Sequence, residues 1–293
     1  MNRQNITEKY YNAIMESNCA DEFKEMVNRL HVFLKNKREY RLQNVSLPCY
    51  LWVAKRGGGI STLLKVLSEY LYAARAIEFC GTVKSFEFKL DYINPESHLS
   101  ELSRLDNTVA GYAGHNRYFK GICCININEW IDHTDEDHFK TILEYAFDNK
   151  DNLFIVFCIH AEDNKTIEFV ESAISSHMRV ETLIPKFPDA CELVDFIESR
   201  LKKDEGFFFT DNAKILLNES VQEIIESRYF NGFKTITQLA EKIMFEILSG
   251  GSISNKQITS EMLSVFSKNS AYIKQVMEQK NSNRIIGFSC KEV

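Results

Sequence analysis

Residues 49–62 constrain this chain more than any other stretch. An apolar run, CYLWVA, passes into Lys55-Arg56-Gly57-Gly58-Gly59-Ile60-Ser61-Thr62, and a helical stripe begins where the glycines end. Six consecutive apolar residues behind Pro48 read as a strand buried on both faces, the habit of parallel sheets. Leu63, Leu64, Val66, Leu67, Tyr70 and Leu71 recur at three- and four-residue spacing, the period of an amphipathic helix. A glycine turn between strand and helix also has a chemical meaning. The N–H groups at the start of such a helix have no partner within it and face whatever sits on the loop, which suits a phosphate. Taken alone, the same glycines serve equally well as a tight turn.

The remaining pattern extends the first unit. Residues 85–92 (SFEFKLDY) alternate apolar and polar, as a half-buried strand does. Residues 121–128 (GICCININ) and 153–159 (LFIVFCI) are near-continuous apolar runs, and a short strand is expected around residues 182–184. Helical spacing over residues 138–147 separates the two apolar runs, while residues 95–120 read as helix and loop. Strands alternating with helices predict an α/β fold with an open, mostly parallel sheet. Residues 1–46 form a helical segment ahead of this domain, which spans 47–187. From residue 188 the pattern is wholly helical, with segments near 189–203, 211–227 and 233–249, giving a small helical domain over 188–252. Residues 253–293 hold further helices and a tail, Arg284-Ile285-Ile286-Gly287-Phe288, with the apolar anchors of a docking strand. Packing of that tail on its own domain is the competing reading.

Composition narrows the partners. With 293 residues and 44% hydrophobic content, the chain is long enough for one large domain and a smaller companion. A net charge of −6 argues against nucleic acid or an anionic membrane as the main partner. The eight cysteines form no CxxC pair and lie mostly in apolar runs, as reduced buried thiols of a cytoplasmic protein do. The polar start of the chain does not look like a signal peptide, and no apolar run approaches the ~20 residues that span a bilayer. Asp132 to His138 holds metal-capable side chains, but an acidic loop capping a helix accounts for it. Cys123-Cys124 in an apolar strand is inert.

The phosphate-loop form GxxxxGK[ST], laid over residues 54–61, matches at Gly59 and Ser61 but has Ala54 for the first glycine and Ile60 for the lysine. A further apolar run ends Ile127-Asn128-Glu129, and Leu153 to Ile159 ends on the polar His160. Residues 176–180 (SHMRV) precede the last strand, and Asn231-Gly232-Phe233-Lys234 opens a helix in the helical part. In this order and spacing, over roughly residues 20–252, the chain resembles the AAA+ P-loop ATPase superfamily, and within it the compact bacterial Rubisco-activase-like type.

The resemblance implies a P-loop sheet domain followed by a helical lid. It implies a nucleotide site, for ATP or ADP, from Lys55, Gly57, Gly58, Gly59, Ser61 and Thr62, with His160 as the sensor on the strand and Lys234 as the one on the lid. Ser61 is the metal-facing hydroxyl for Mg²⁺, Glu129 the general base, and Arg179 the arginine finger that enters a neighbouring subunit's site. Each position has a plainer alternative: Arg179 paired with Glu181, His160 as a structural hydrogen bonder, Lys234 as a solvated cation, and Lys55 as a solvated neighbour of Arg56.

The departures have a physical cost. Two unit charges ~4 Å apart interact by about 4 kcal/mol at an effective dielectric of ~20. Losing such a contact from a transition state slows a reaction by about three decades. Ile60 supplies no charge, and Asn128 removes the carboxylate that helps hold Mg²⁺. Three functions follow: a hydrolysis-deficient subunit acting through other subunits, including a competent AAA+ paralogue, in a homo- or hetero-oligomer; an unorthodox ATPase using Lys55 or Lys234; or a nucleotide-independent scaffold.

Overall fold

The protein is described here from a computed structural model covering residues 3–17, 19–42, 45–55, 57–78, 85–92, 97–113, 121–134, 137–161, 163–250 and 256–278. Arg56, Asp135, Glu136 and the tail Arg284 to Phe288 lie outside these residues. The chain divides into two compact units, the second beginning at Pro188.

In the first unit two helices, α1 (Arg3–Met15) and α2 (Asp21–Glu39), precede strand β1 (Cys49–Val53) and helix α3 (Ile60–Ala73). There follow β2 (Ser85–Lys89), α4 (Ser97–Ala113), β3 (Gly121–Asn126), a 3₁₀ turn (Asn128–His133), α5 (Asp137–Asn149), β4 (Leu153–Ile159), α6 (Asn164–Ser175) and β5 (Val180–Leu183). The five strands are all parallel and lie in the order β5-β1-β4-β3-β2. The apolar run at residues 121–128 therefore stops being strand at Asn126, where Asn128 and Glu129 wind into the 3₁₀ turn.

Side-chain parity divides the core into two clusters. Leu51 and Val53 of β1, Cys123 and Ile125 of β3, and Ile155 and Phe157 of β4 face one way, with Phe139, Ile142, Val170 and Ile174 from α5 and α6. Tyr50, Trp52, Cys124, Val156 and Cys158 face the other way, covered by Phe23 and Val27 of α2 and by Leu64, Leu67 and Leu71 of α3. Right-handed crossovers require this division. The step from β1 to β2 runs along the sheet in one direction, and the three later steps run in the other, so α3 lies on the face opposite α4, α5 and α6. Direction reverses at β1, which opens a crevice at its carboxyl end.

The first two helices belong to this unit. The Thr7 hydroxyl donates to the Ala73 carbonyl at 2.8 Å and the Arg38 guanidinium to that of Ala74 at 3.3 Å, so α1 and α2 cap the carboxyl end of α3. Burial raises the Cys123 and Cys124 thiols well above their ordinary range, with a hydrogen bond to Cys158 the largest cause at Cys124, which leaves them unreactive as thiolates.

The second unit contains α7 (Ala190–Glu205), α8 (Asp211–Ile225), α9 (Phe233–Ser249) and α10 (Ala271–Glu278), with a 3₁₀ turn at Ser264–Phe266. Helix α7 opens on a capping box between Asp189 and Glu192 and ends on Gly206 in the left-handed region at φ 74°. A two-residue parallel pairing, β6 (Phe208–Phe209) with β7 (Gln257–Ile258), joins the start of α8 to the segment after α9. Helical periodicity gives no sign of it, since two residues carry no period. Among the described residues, no helix is long and apolar enough to cross a membrane.

Phe157 is fully buried between β1 and β3, whereas Phe169 on α6 is 49% exposed. Phe157→Ala is expected to destabilise the protein by about 3–5 kcal/mol, and Phe169→Ala by no more than about 0.5 kcal/mol. Urea denaturation followed by tryptophan fluorescence compares the two; equal midpoints would contradict the two-sided core.

Candidate functional site

The crevice at β1 is floored by the glycine loop. Gly57 and Gly59 lie in the left-handed region at φ 78° and 80°, where other residues are strained. Gly58 is required for a different reason. Its N–H donates to the Lys55 carbonyl at 2.9 Å, and a Cβ at Gly58 would sit 2.9 Å from that same oxygen. Gly59 caps α3, its carbonyl accepting from Thr62 and Leu63 at 2.9 and 3.0 Å. The N–H groups of Gly57, Gly59, Ile60 and Ser61 meet no protein acceptor among the described residues. These donors, at the start of a helix, suit an anion.

The side chains around the loop are less suited to a nucleotide. Ile60 turns into the fold and packs against the cluster formed by Trp52, Leu63, Leu64 and their neighbours. Ser61 and Thr62 are exposed on the first turn of α3, and Lys55 is exposed just ahead of the loop.

Across the carboxyl ends of β3, β4 and β1 runs a polar seam. The Asn126 carboxamide oxygen accepts from the Asn128 backbone at 3.0 Å and from its side-chain amide at 2.8 Å. The Asn128 carboxamide oxygen accepts from the His160 backbone at 2.5 Å. The His160 ring closes the seam through Nδ1, 2.7 Å from the Ala54 carbonyl; a carbonyl can only accept, so Nδ1 carries the proton. Asn128 is thus committed at both ends of its amide to holding β3 against β4, and His160 ties β4 to β1.

Glu129 is also engaged. One carboxylate oxygen is paired with Lys89 at the end of β2, and the other accepts from the Tyr92 backbone at 2.9 Å. The Lys89 bond first, and the Tyr92 bond second, hold the Glu129 carboxyl below its ordinary range. Lys89 also reaches Asp91 at 2.9 Å, and Arg104 binds Glu101, Asp91 and the Lys89 carbonyl. Two cations and three carboxylates therefore meet at this edge and leave it with one net negative charge. A carboxylate with a lowered pKa and a lysine partner is a weak proton acceptor.

A phosphate group fits the loop's N–H donors. A divalent metal fits poorly: Ser61 offers a hydroxyl, but a neutral, hydrogen-bonded amide stands at position 128. Among the described residues no group of three or more histidine, cysteine, aspartate or glutamate side chains is placed to hold a metal ion.

Arg179 stands elsewhere. It directly precedes β5, and its carbonyl accepts from the Cys49 backbone at 3.1 Å, at the amino-terminal end of β1. The length of β1, ~15–20 Å, separates it from the glycine loop. Its guanidinium pairs with Glu181 at 2.9 Å. Lys234, in the second unit, is exposed on the first turn of α9. The structure therefore gathers the loop, Asn128, Glu129 and His160 at one edge and places Arg179 at the other. Asn126 and Lys89 were not expected from sequence. Their signal is faint: a single polar residue where an apolar or alternating run reaches its carboxyl end.

No protein-family profile and no curated protein matches the sequence significantly. Among solved structures, the chain is similar to C. elegans PCH-2, with 12% identity and a TM-score of 0.54 over 89% of this chain and 71% of that one. It also matches Hsp104 in a closed state with ATPγS and casein, at 12% identity and a TM-score of 0.39 over 76% of this chain and 39% of that one. The clamp loader delta protein of Bacillus subtilis matches at 13% identity and a TM-score of 0.32, over 80% and 61%. At such identity the likeness to PCH-2 is one of fold, an α/β fold with a five-stranded parallel sheet and flanking helices.

Because the folded pKa of Glu129 is depressed, its pairing is present above the unfolded value of about 4.3 and is lost as pH falls through the folded value. Lys89→Met is expected to move the Glu129 titration upward, read from its side-chain carboxyl carbon by NMR. An unmoved titration would show that Lys89 does not set it.

Proposed function

We propose that this chain is a hydrolysis-deficient AAA+-like subunit, acting in the cytoplasm as a regulatory or structural member of a homo- or hetero-oligomer. One observation carries the reading: the residues at the two lost catalytic positions are built into the fold. Ile60 packs into the α3 core, and Asn128 spans β3 and β4 through its carboxamide. Neither stands as a spare side chain beside an otherwise prepared site. Glu129 retains a carboxylate, but Lys89 and the Tyr92 backbone hold it. ATP or ADP binds weakly through the loop N–H groups, without a firmly held Mg²⁺ ion. Within the AAA+ fold, the motif spacing resembles the compact Rubisco-activase-like type.

The position of Arg179 supports action through a neighbour. It lies too far from its own loop to touch a phosphate there, and it is presented at the opposite edge of the sheet. In a ring of such subunits this edge meets the nucleotide edge of the next, which fits a competent AAA+ paralogue as the partner. Lys234 serves the lid of the same chain or remains a surface cation.

Purified chain is expected to show no Mg²⁺-ATPase turnover above a buffer blank at high protein concentration, and only weak ATP or ADP heats in calorimetry. Turnover that disappears in Glu129→Gln would overturn the proposal.

A further inference from the structure

A cavity of about 550 Å³ opens at the end of the sheet away from the glycine loop. It lies between the carboxyl ends of α2 and α3 and the amino-terminal ends of β1, β4 and β3, with Lys37, Ile77, Cys49, Gly121 and Lys150 on its walls. Small-molecule sites have volumes of about 300–1,000 Å³. The Lys37 ammonium, near the end of α2, donates to the Val45 carbonyl at 2.5 Å. Lys150, just past α5, stands over the Phe147 ring at 3.2 Å. Burial pushes the Cys49 thiol up to about 11 and the Lys150 charge draws it back, so this ammonium is felt at the Cys49 wall.

These lysines differ from other cations at the same end of the sheet. Glu181 of β5 already holds Arg179 at 2.9 Å and Arg29 of α2 at 3.3 Å. Lys37 and Lys150 are half-buried, yet among the described residues neither is paired with a carboxylate. The segments that enclose the cavity, residues 37–49, 74–78 and 149–155, carry five cations and three carboxylates in a chain whose net charge is −6. Cations near the carboxyl ends of α2, α3 and α5 offset the partial negative charge of those ends. That role asks for a charge near each end; it does not ask for two ammoniums on different walls of one cavity. Walls of low dielectric focus such an excess on whatever enters.

We propose that this cavity binds a small molecule bearing a multiply charged oxyanion, a phosphate or a pair of carboxylates, with Lys37 and Lys150 as the counter-charges. Ser46 and Asn152, also on its walls, supply a hydroxyl and a carboxamide as hydrogen-bond donors. Ammoniums act as point charges without the planar fork of arginine, so the site selects charge more than oxyanion shape. It is a second anion site, at the opposite end of β1 from the loop N–H groups, and it stands independently of the function proposed above.

The test titrates the full chain with sodium pyrophosphate and, in a second arm, with sodium malonate, at constant ionic strength, and follows backbone amides by NMR. Amides of Ser46, Asn152 and Leu153 report on the cavity, and those of Gly57, Gly59 and Ser61 on the glycine loop. The cavity amides are expected to saturate with a Kd of their own, and the arm that responds distinguishes a phosphate from a dicarboxylate ligand. Lys150→Gln weakens that Kd by about fivefold, the worth of one charge contact in water, and Lys37→Gln together with Lys150→Gln by about twentyfold, while the loop amides respond as before. Cavity amides that saturate in neither arm, or whose Kd is unchanged in Lys150→Gln, would overturn the site. So would cavity shifts that track the loop amides with the loop's own Kd, since one anion at the loop would then account for both. Lys37 also holds Val45, so the single Lys150→Gln variant decides the matter if the double variant does not fold.

Discussion

The switch in crossover direction at β1 is the constraint on which the rest of this molecule depends. With β4 on one side of it and β5 on the other, β1 sends its following helix to one face while every later helix of the sheet goes to the opposite face. The carboxyl end of β1 is consequently a place where the covering layers part. A loop of three glycines stands there, two in the left-handed region and one forced by a carbonyl 2.9 Å from where its Cβ would be. The geometry for an anion is set by topology and backbone, before any side chain contributes.

Side chains then decide what is done with that geometry, and here the two edges of the sheet part ways. At the carboxyl edge the polar groups satisfy one another. Asn126, Asn128, His160 and the Ala54 carbonyl form a continuous seam, and Glu129 is held by Lys89. Each such bond contributes a net ~1 kcal/mol in ordinary cases, so the seam stitches the ends of β3, β4 and β1 together. At the amino-terminal edge the reverse holds: Arg29 and Arg179 share one carboxylate and keep most of their donors toward water. The carboxyl edge thus ties its polar side chains to one another and leaves the loop N–H groups for an anion, while the amino-terminal edge carries exposed guanidiniums.

Much of the sheet was legible in the sequence because parallel strands buried on both faces leave uninterrupted apolar runs. Leu153–Ile159 reads directly as the strand observed, and the stripe after Gly59 reads directly as α3. The end of β3 was harder to read, since Ile127 is as buried as the strand residues before it and its N–H still donates to the Cys158 carbonyl of β4, although the strand ends at Asn126. The short β6–β7 pairing falls below the length at which any periodicity exists. At the site, the glycine loop and the polar Asn128, Glu129 and His160 at the ends of apolar runs were visible because they interrupt those runs. The partners of those residues were not. Lys89 comes from a strand forty residues before Glu129, and Arg29 from a helix far ahead of Arg179, so both meetings are consequences of sheet order.

Ile60 carries an implication of a different kind. It packs against the apolar cluster beneath α3, and Asn128 ties the end of β3 to β4. A lysine at position 60 would draw an ammonium toward apolar side chains. An aspartate at position 128 would lose the amide donation to Asn126 and add a charge beside Glu129. Either exchange is destabilising by itself, so these two positions are held by packing and hydrogen bonding whatever meets the loop.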